Sequence, residues 1–330
     1  GDYAYRRTSF RSSVNSRNYN WHLSGSNIYS RNDSKLYSKI DRISDRFTSR
    51  WRVATAHVSR LLSAAPFKLT NISPMTSYLI PEIIDMFYQF LFPFTRLSAF
   101  LLASPFYSVE SINIRFRIGI STVFTFLYFS FFDGVVIDPL TGDGLLSLLQ
   151  EIFIGVILGF SLQIVSSAIT VGGQAISNAM GLGMANMFDP NLGNVPVISQ
   201  FLIILSTLIF LLIDGHLIMI DIIFNSFTSF PIGQPLPVMG LLQALIDWTP
   251  LIFTGGLLLA LPMMIALLLV NIGLGIITRS APSLNIIAVG FPAIILVGGI
   301  MLIFALPGVL RLIQEFWLDS FAQLIIMLGI

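Results

Sequence analysis

The sequence predicts an all-α, polytopic membrane protein. Three observations carry that reading. Hydrophobic residues make up 55% of the 330-residue chain and charged residues only 11%, where soluble domains carry about 25% charged residues. Mean hydropathy is +0.81. The apolar residues also fall into runs that reach the roughly 20 residues needed to cross a hydrocarbon core. There is no cysteine, which excludes disulfides, Cys-ligated zinc and thiol catalysis and leaves the redox compartment open.

The net charge of +1 hides a division. Residues 1–74 hold 13 Lys and Arg against 4 Asp and Glu, whereas residues 75–330 hold 5 Arg, no Lys and 13 Asp and Glu. The first stretch is rich in Ser, Arg, Asn and Tyr and has no long apolar run. It reads as a disordered or weakly helical basic extension, an appended or upstream-encoded segment outside the functional fold. A basic arm suits nucleic acid or anionic lipid, and the composition is also that of a transit peptide. The chain changes character at Pro74-Met75, and Met75 would serve as a start.

Six spans follow in order: Tyr78–Ala103, Phe116–Phe132, Leu145–Ile169, Val197–Phe224, Leu241–Ile277 and Leu284–Pro307, with a tail helix from Val309. The fifth is too long for a simple span, so Pro250 and Pro262 are expected to kink or break it. If all six cross, the loop with Arg115 and Arg117 and the loop with Arg279 share one side, and Asp133, Asp138 and Asp143 lie on the other. The basic extension then falls on the side opposite the loop arginines. That conflict argues that it is foreign to the inserted chain or that the topology is not simple.

Glu82, Asp85, Arg96, Glu151, Asp214, Asp221 and Asp247 lie in or near spans. Each is costly in lipid and should face protein or water. They are scattered singly, without relay spacing, so helix–helix pairing is favoured over an ion path. Arg96 in particular is expected to be a buried ion-pairing residue beside a carboxylate of a neighbouring helix. His216 stands alone after residue 57 and is expected to cap or hydrogen-bond locally. A HExxH pair, a GxSxG elbow and a P-loop are all missing. No enzyme, metal site or cofactor is expected.

In Val171–Phe188 small residues recur every four positions: Gly173, Ser177, Gly181 and Ala185, with Ala175, Ala179 and Gly183 as a second row. On a helix each row is a close-packing stripe, and Gly155 and Gly159 repeat the idea. The stripe ends at Asp189-Pro190, because Pro disfavours helix at the residue before it. The stretch GLGMANMFDPNLGNVP, residues 181–196, is too polar and broken for a lipid-facing helix and too apolar for an ordinary solvent loop. Such backbone at membrane depth survives only if buried in protein or lining a water-filled cavity. It is therefore an aqueous loop or a pore lining.

Three ordered blocks resemble the FliR family of flagellar type III export gates: FPFTRLSAFLLASPFYSVESINIRFRIGIS, GGQAISNAMGLGMANMFDPNLG, and LPMMIALLLVNIGLGIITRSAPSLNIIAVGFP. The resemblance runs from Met75 to about Phe304 and leaves out residues 1–74. Ser283, where the family often has Gln, is a minor departure.

The resemblance implies a bacterial inner-membrane protein of the flagellar basal body, built of helical hairpins. Residues 75–330 would form one export-gate domain. Residues 75–240 would be FliP-like and 241–330 a FliQ-like C-terminal hairpin, in a helical hetero-oligomer with FliP-like and FliQ-like subunits and a FlhB-like gate protein. Unfolded flagellar export substrates would pass through it; nucleic acid is not implied. Segment 181–196 would be the pore plug, with Gly181, Gly183, Gly193, Asp189 and Pro190 shaping it and Met184, Met187 and Phe188 as its apolar seal. Gly173, Ser177 and Ala185 would be helix-packing positions. Arg279, Pro282, Leu284 and Asn285 would form a hairpin turn or subunit contact. Two other readings stay open: a secondary transporter for a small solute, and an assembly nucleator without pore contact.

Overall fold

The structure is a computed structural model; it describes residues 76–105, 113–132, 134–182, 196–280 and 286–330, with isolated helical positions between 38 and 56. The described residues from 76 onward are helical apart from turns and short connections. In chain order the helices are α1 (Thr76–Ala103), α2 (Ile114–Tyr128), α3 (Gly142–Ala179), α4 (Val197–Leu212), α5 (Gly215–Ser229), α6 (Val238–Trp248), α7 (Leu251–Ser280) and α8 (Ile286–Leu328).

Among the described residues, four helical stretches are long and apolar enough to cross a membrane: Glu82–Ala103, Gly142–Ala179, Val238–Ile277 and Pro292–Leu328. A fifth crossing would need α4 and α5 together, and these are bent by 70° at their junction. The molecule is an all-α polytopic membrane protein, with fewer spans than the six expected. The expected second span is the 15-residue α2, roughly 22 Å long at 1.5 Å per residue, short of a hydrocarbon core of about 30 Å. The expected fourth span is the bent pair. With four crossings, Arg115, Arg117 and Arg279 share a side; with five they do not. The positive-inside rule therefore favours α4–α5 returning to the side it came from.

Proline acts differently at different places in these helices. Pro250 lies at the junction of α6 and α7, as expected of a helix breaker. Pro262 sits inside α7, and Pro307 inside α8, which runs 43 residues unbroken. The expected boundary between a sixth span and a tail helix at Pro307 therefore disappears. Each proline deletes one backbone donor, and both lie on exposed faces of helices long enough for the remaining backbone hydrogen bonds to carry them past the gap.

α3 is the axis of the fold. Thr141 caps it by accepting a hydrogen bond from the Gly144 amide at 3.1 Å. Its apolar residues surround it, as in a helix packed on several sides, and Leu158, Leu162, Ile164, Val165, Ala168 and Ile169 are fully buried. α3 packs against α1, α4 and α7, and α8 closes on α3, α4 and α5. Aromatic contacts tie the helices around this axis to one another. Tyr128 stacks on Phe132 at 4.9 Å and meets Phe227 at 4.6 Å between centroids. Trp317 of α8 donates from Nε1 to Ser206 Oγ of α4 at 2.9 Å and lies edge-on to Phe210.

Candidate functional site

The helix that leads into residues 181–196 is held by backbone proximity. At Gly155 a Cβ would strike the Arg96 carbonyl of α1, and at Gly159 it would lie 2.6 Å from the Phe100 carbonyl. Further along, Gly172 faces Gly256 of α7, with the hypothetical Cβ 2.9 Å from its carbonyl oxygen, and Gly173 faces Ser199 of α4 at 2.6 Å from Cα. Ser199 Oγ donates to the Thr170 carbonyl at 3.0 Å across the same crossing. Ser177 is buried. At the end of α3, Met180 is 3% exposed and rests on Gly298 of α8, where a Cβ would lie 2.8 Å from its Cε. Three helices thus grip the last turns of α3, each through a position without a bulky side chain.

α3 stops at Met180, and Gly181 follows in the left-handed region with φ 74°. Its amide donates to the Asn178 carbonyl at 3.0 Å. Glycine reaches that conformation without the Cβ penalty of other residues, the usual way to end a helix. Gly183, Met184, Ala185, Met187, Phe188, Asp189, Pro190 and Gly193 lie outside the described residues, as do Pro282, Leu284 and Asn285. Arg279 is exposed in the last turn of α7, where a cation complements the helix dipole.

The strongest polar cluster lies elsewhere. Arg96 of α1 is fully buried and donates from Nε to Glu151 Oε2 at 2.6 Å and from Nη2 to Glu151 Oε1 at 2.9 Å. Its Nη1 donates to Ser226 Oγ at 3.2 Å, its Nη2 also to the Phe230 carbonyl at 2.8 Å, and its guanidinium lies 4.1 Å from the centre of the Phe227 ring. The planar fork matches the carboxylate twice and the ring face once. One residue therefore binds α1, α3 and the end of α5 together. Beside it a cavity of about 190 Å³ is lined by Gln150, Glu151, Ser229, Gln234 and the prolines of residues 231–237.

Glu151 is visible in the sequence as one carboxylate among several. Ser226, Phe227 and the Phe230 carbonyl carry no signal there, because nothing in the local pattern brings residues 130 positions apart together. Gly256 and Gly298 escape a reading of the sequence too, although each stands in a Gly-Gly pair within an apolar run, a hint of close helix contact. His216 departs from expectation: its Nδ1 is buried without a hydrogen-bond partner among the described residues. Asp214 before it holds a left-handed φ of 54° and gives α5 no side-chain cap.

The sequence model of the family described as Bacterial export proteins, family 1, matches residues 87–320. The chain is 37% identical over 227 residues to the flagellar biosynthetic protein FliR of Pectobacterium carotovorum subsp. carotovorum, covering 68% of this chain and 87% of that one. It belongs to the FliR family of bacterial export proteins. Identity is 34% over 211 residues to FliR of Escherichia coli (strain K12), covering 63% and 80% of the two chains. To FliR of Bacillus subtilis (strain 168) it is 28% over 256 residues, covering 76% and 99%. The family match includes α3, the Arg96–Glu151 cluster and most of α8, and it starts beyond the basic extension. The FliR family places the chain with the flagellar export apparatus.

Proposed function

We propose that the chain is a core subunit of the flagellar type III protein-export gate in the bacterial inner membrane, at the flagellar basal body. With FliP-like and FliQ-like subunits, and beside a FlhB-like gate protein, it forms the channel through which unfolded flagellar proteins pass. The observation that carries this reading is the family match over residues 87–320. In this proposal residues 75–240 are the FliP-like part and residues 241–330 the FliQ-like hairpin. The packing of α7 on α8 supports that division. Residues 1–74 lie outside the gate domain.

Segment 181–196 is the plug. Its support is chemical: Gly residues allow movement, and Met184, Met187 and Phe188 give an apolar, adaptable seal around a chain of no fixed shape. The grip of α4, α7 and α8 on the last turns of α3 gives that segment a firm root. Arg279, Pro282, Leu284 and Asn285 serve as a turn and subunit contact.

The test is photocrosslinking from Met187 or Phe188 to a stalled export substrate in cells. Crosslinks should form only while substrate is arrested. Deleting residues 184–193 should leave the gate assembled and leak small ions across the membrane. Normal ion retention by an assembled deletion gate would overturn the plug, and a failure to crosslink any substrate would overturn pore contact.

A further inference from the structure

The α7–α8 hairpin changes character along its length. One half is packed into the fold: Met263 and Leu267 of α7 and Val309, Ile313 and Phe316 of α8 are buried. Beyond that level the packing stops. Among the described residues from 268 to 308, only Gly290 and Gly298 are buried, and neither carries a side chain. Leu269, Ile276, Ile303 and Phe304 are more than half exposed there. This half of the hairpin is an arm that leaves the body of the fold.

The arm returns to the body at Gly298. A Cβ there would lie 2.8 Å from Met180 Cε, 2.9 Å from Cγ and 3.3 Å from Sδ. The α8 backbone therefore lies flat along the Met180 side chain, which is 3% exposed. Met180 is the residue at which α3 stops, and segment 181–196 follows it directly.

Both helices are weakened at the level where the arm begins. Pro262 stands inside α7 and Pro307 inside α8. Each removes a backbone hydrogen bond, and such positions are where helices bend. The two lie at one height, because Pro262 lines the same cleft of about 430 Å³ as Ala305 and Gly308, which flank Pro307. The cleft leaves room for bending, since a Cβ at Gly308 would meet nothing within 4 Å. From Pro307 to Gly298 is about 13 Å of helix, so a bend of about 10° moves Gly298 by about 2 Å. A gap of about 1 Å already forfeits much of a van der Waals contact.

We propose that the arm is a lever on segment 181–196. In this structure it clamps Met180 through Gly298 and holds the root of the segment. Bent at Pro262 and Pro307, it frees the last turn of α3 and lets the segment move. The inference rests on the reading of that segment as the plug and adds what controls it. The clamp lies within one chain. It needs no bilayer and leaves the outer face of the arm to neighbouring subunits, which would set its angle.

The experiment locks or stiffens the arm in the gate in cells. The chain has no cysteine, so Met180→Cys with Gly298→Cys places a single pair in it, at a separation a disulfide can span. Oxidation with diamide should cut export of flagellar proteins about tenfold, and a reductant should restore it, while each single variant is unaffected by diamide. Pro262→Ala with Pro307→Ala restores two backbone donors without touching Met180. It should slow export several-fold, with resting ion retention as in the wild type. Deleting residues 184–193 separates the two readings. A deletion that leaks ions, and still leaks when the oxidised cysteine pair is present, places the lever upstream of the plug. If the deletion leaks but the oxidised pair and the proline pair export at the wild-type rate, the lever is overturned and the plug stands. If an assembled deletion gate retains ions, the plug reading falls and takes the lever with it. Should the cysteine pair fail to assemble, the proline pair decides, and export at the wild-type rate overturns the proposal.

Discussion

Two regions of this molecule solve the same problem in opposite ways. Around α1, α3 and α5 the chain buries a full ion pair, satisfies it with a hydroxyl, a carbonyl and a ring face, and packs glycine against backbone. Around α7 and α8 it does little of this. Phe253, Leu258, Leu269, Leu296, Ile303 and Phe304 stay more than half exposed, and Gly273, Gly275, Gly299 and Gly308 face open space. The first region is closed around its ion pair by its own residues, although Met86 and Phe87 of α1 and Leu145 of α3 stay more than half exposed. The second presents an apolar surface that lipid or neighbouring chains must cover. The comparison teaches that the polar and glycine contacts that hold the fold are concentrated around α1, α3 and α5, whereas α7 and α8 mainly present surface.

Removing a partner from the closed region should have the largest effect. Arg96→Met leaves Glu151 buried without its cation and frees the Phe230 carbonyl, at a cost of about 3–5 kcal/mol. Thermal unfolding of the detergent-purified chain should shift down strongly. The double variant Arg96→Met with Glu151→Leu should recover much of that loss, since an apolar pair of similar volume avoids desolvating two charges. No recovery in the double variant would mean that the hydrogen bonds to Ser226 and Phe230, not the charge pair, hold the three helices.

How much of this is legible without the structure depends on whether the signal is local. Helix content and the apolar runs are legible, because burying backbone in lipid leaves few alternatives to helix. Glycine spacing in α3 marks a helix of close contacts, since a missing side chain has the same meaning in any membrane fold. Span number is not legible. α2 has the composition of a span but not the length, and the reversal at Asp214 depends on a left-handed residue that composition does not announce. Pro307 misleads because helix-breaking propensity is weak inside a long apolar helix. Arg96 meets a carboxylate 55 residues away, and no local pattern encodes that distance. The segment 183–195 lies outside the described residues, so its Met and Phe are known by sequence and family alone.

A middle-sized effect should come from the α1–α3 crossing. Gly159→Leu inserts a side chain where even a Cβ would lie 2.6 Å from the Phe100 carbonyl and 2.7 Å from Ala103 Cβ. Backbone cannot yield as a side-chain tip can, so the helices must separate. Overpacking of this kind costs about 1–3 kcal/mol. That is less than the loss expected from breaking the buried ion pair, so the variant should lower the melting temperature less than Arg96→Met does. A disulfide engineered across α1 and α3 should form in the wild type and form poorly in Gly159→Leu.

The smallest effect reverses sign, and it comes from the open region. Gly299 lies in the interior of α8, and a Cβ added there would meet nothing within 4 Å. Alanine at this position meets no other described helix and restricts the unfolded backbone, a gain of roughly 0.5–1 kcal/mol. The isolated chain carrying Gly299→Ala should therefore melt slightly higher than wild type. Its neighbour Gly298 is the internal control, because a Cβ there would press on Met180 at the end of α3, and Gly298→Ala should gain nothing or lose stability. The assembled gate gives the sharper reading. If a neighbouring helix approaches Gly299 as closely as α8 approaches Met180 at Gly298, Gly299→Ala stabilises the isolated chain and weakens the complex. If lipid covers that face, it stabilises both. Opposite signs in the two measurements would identify the open glycines of α8 as contact positions reserved for another subunit.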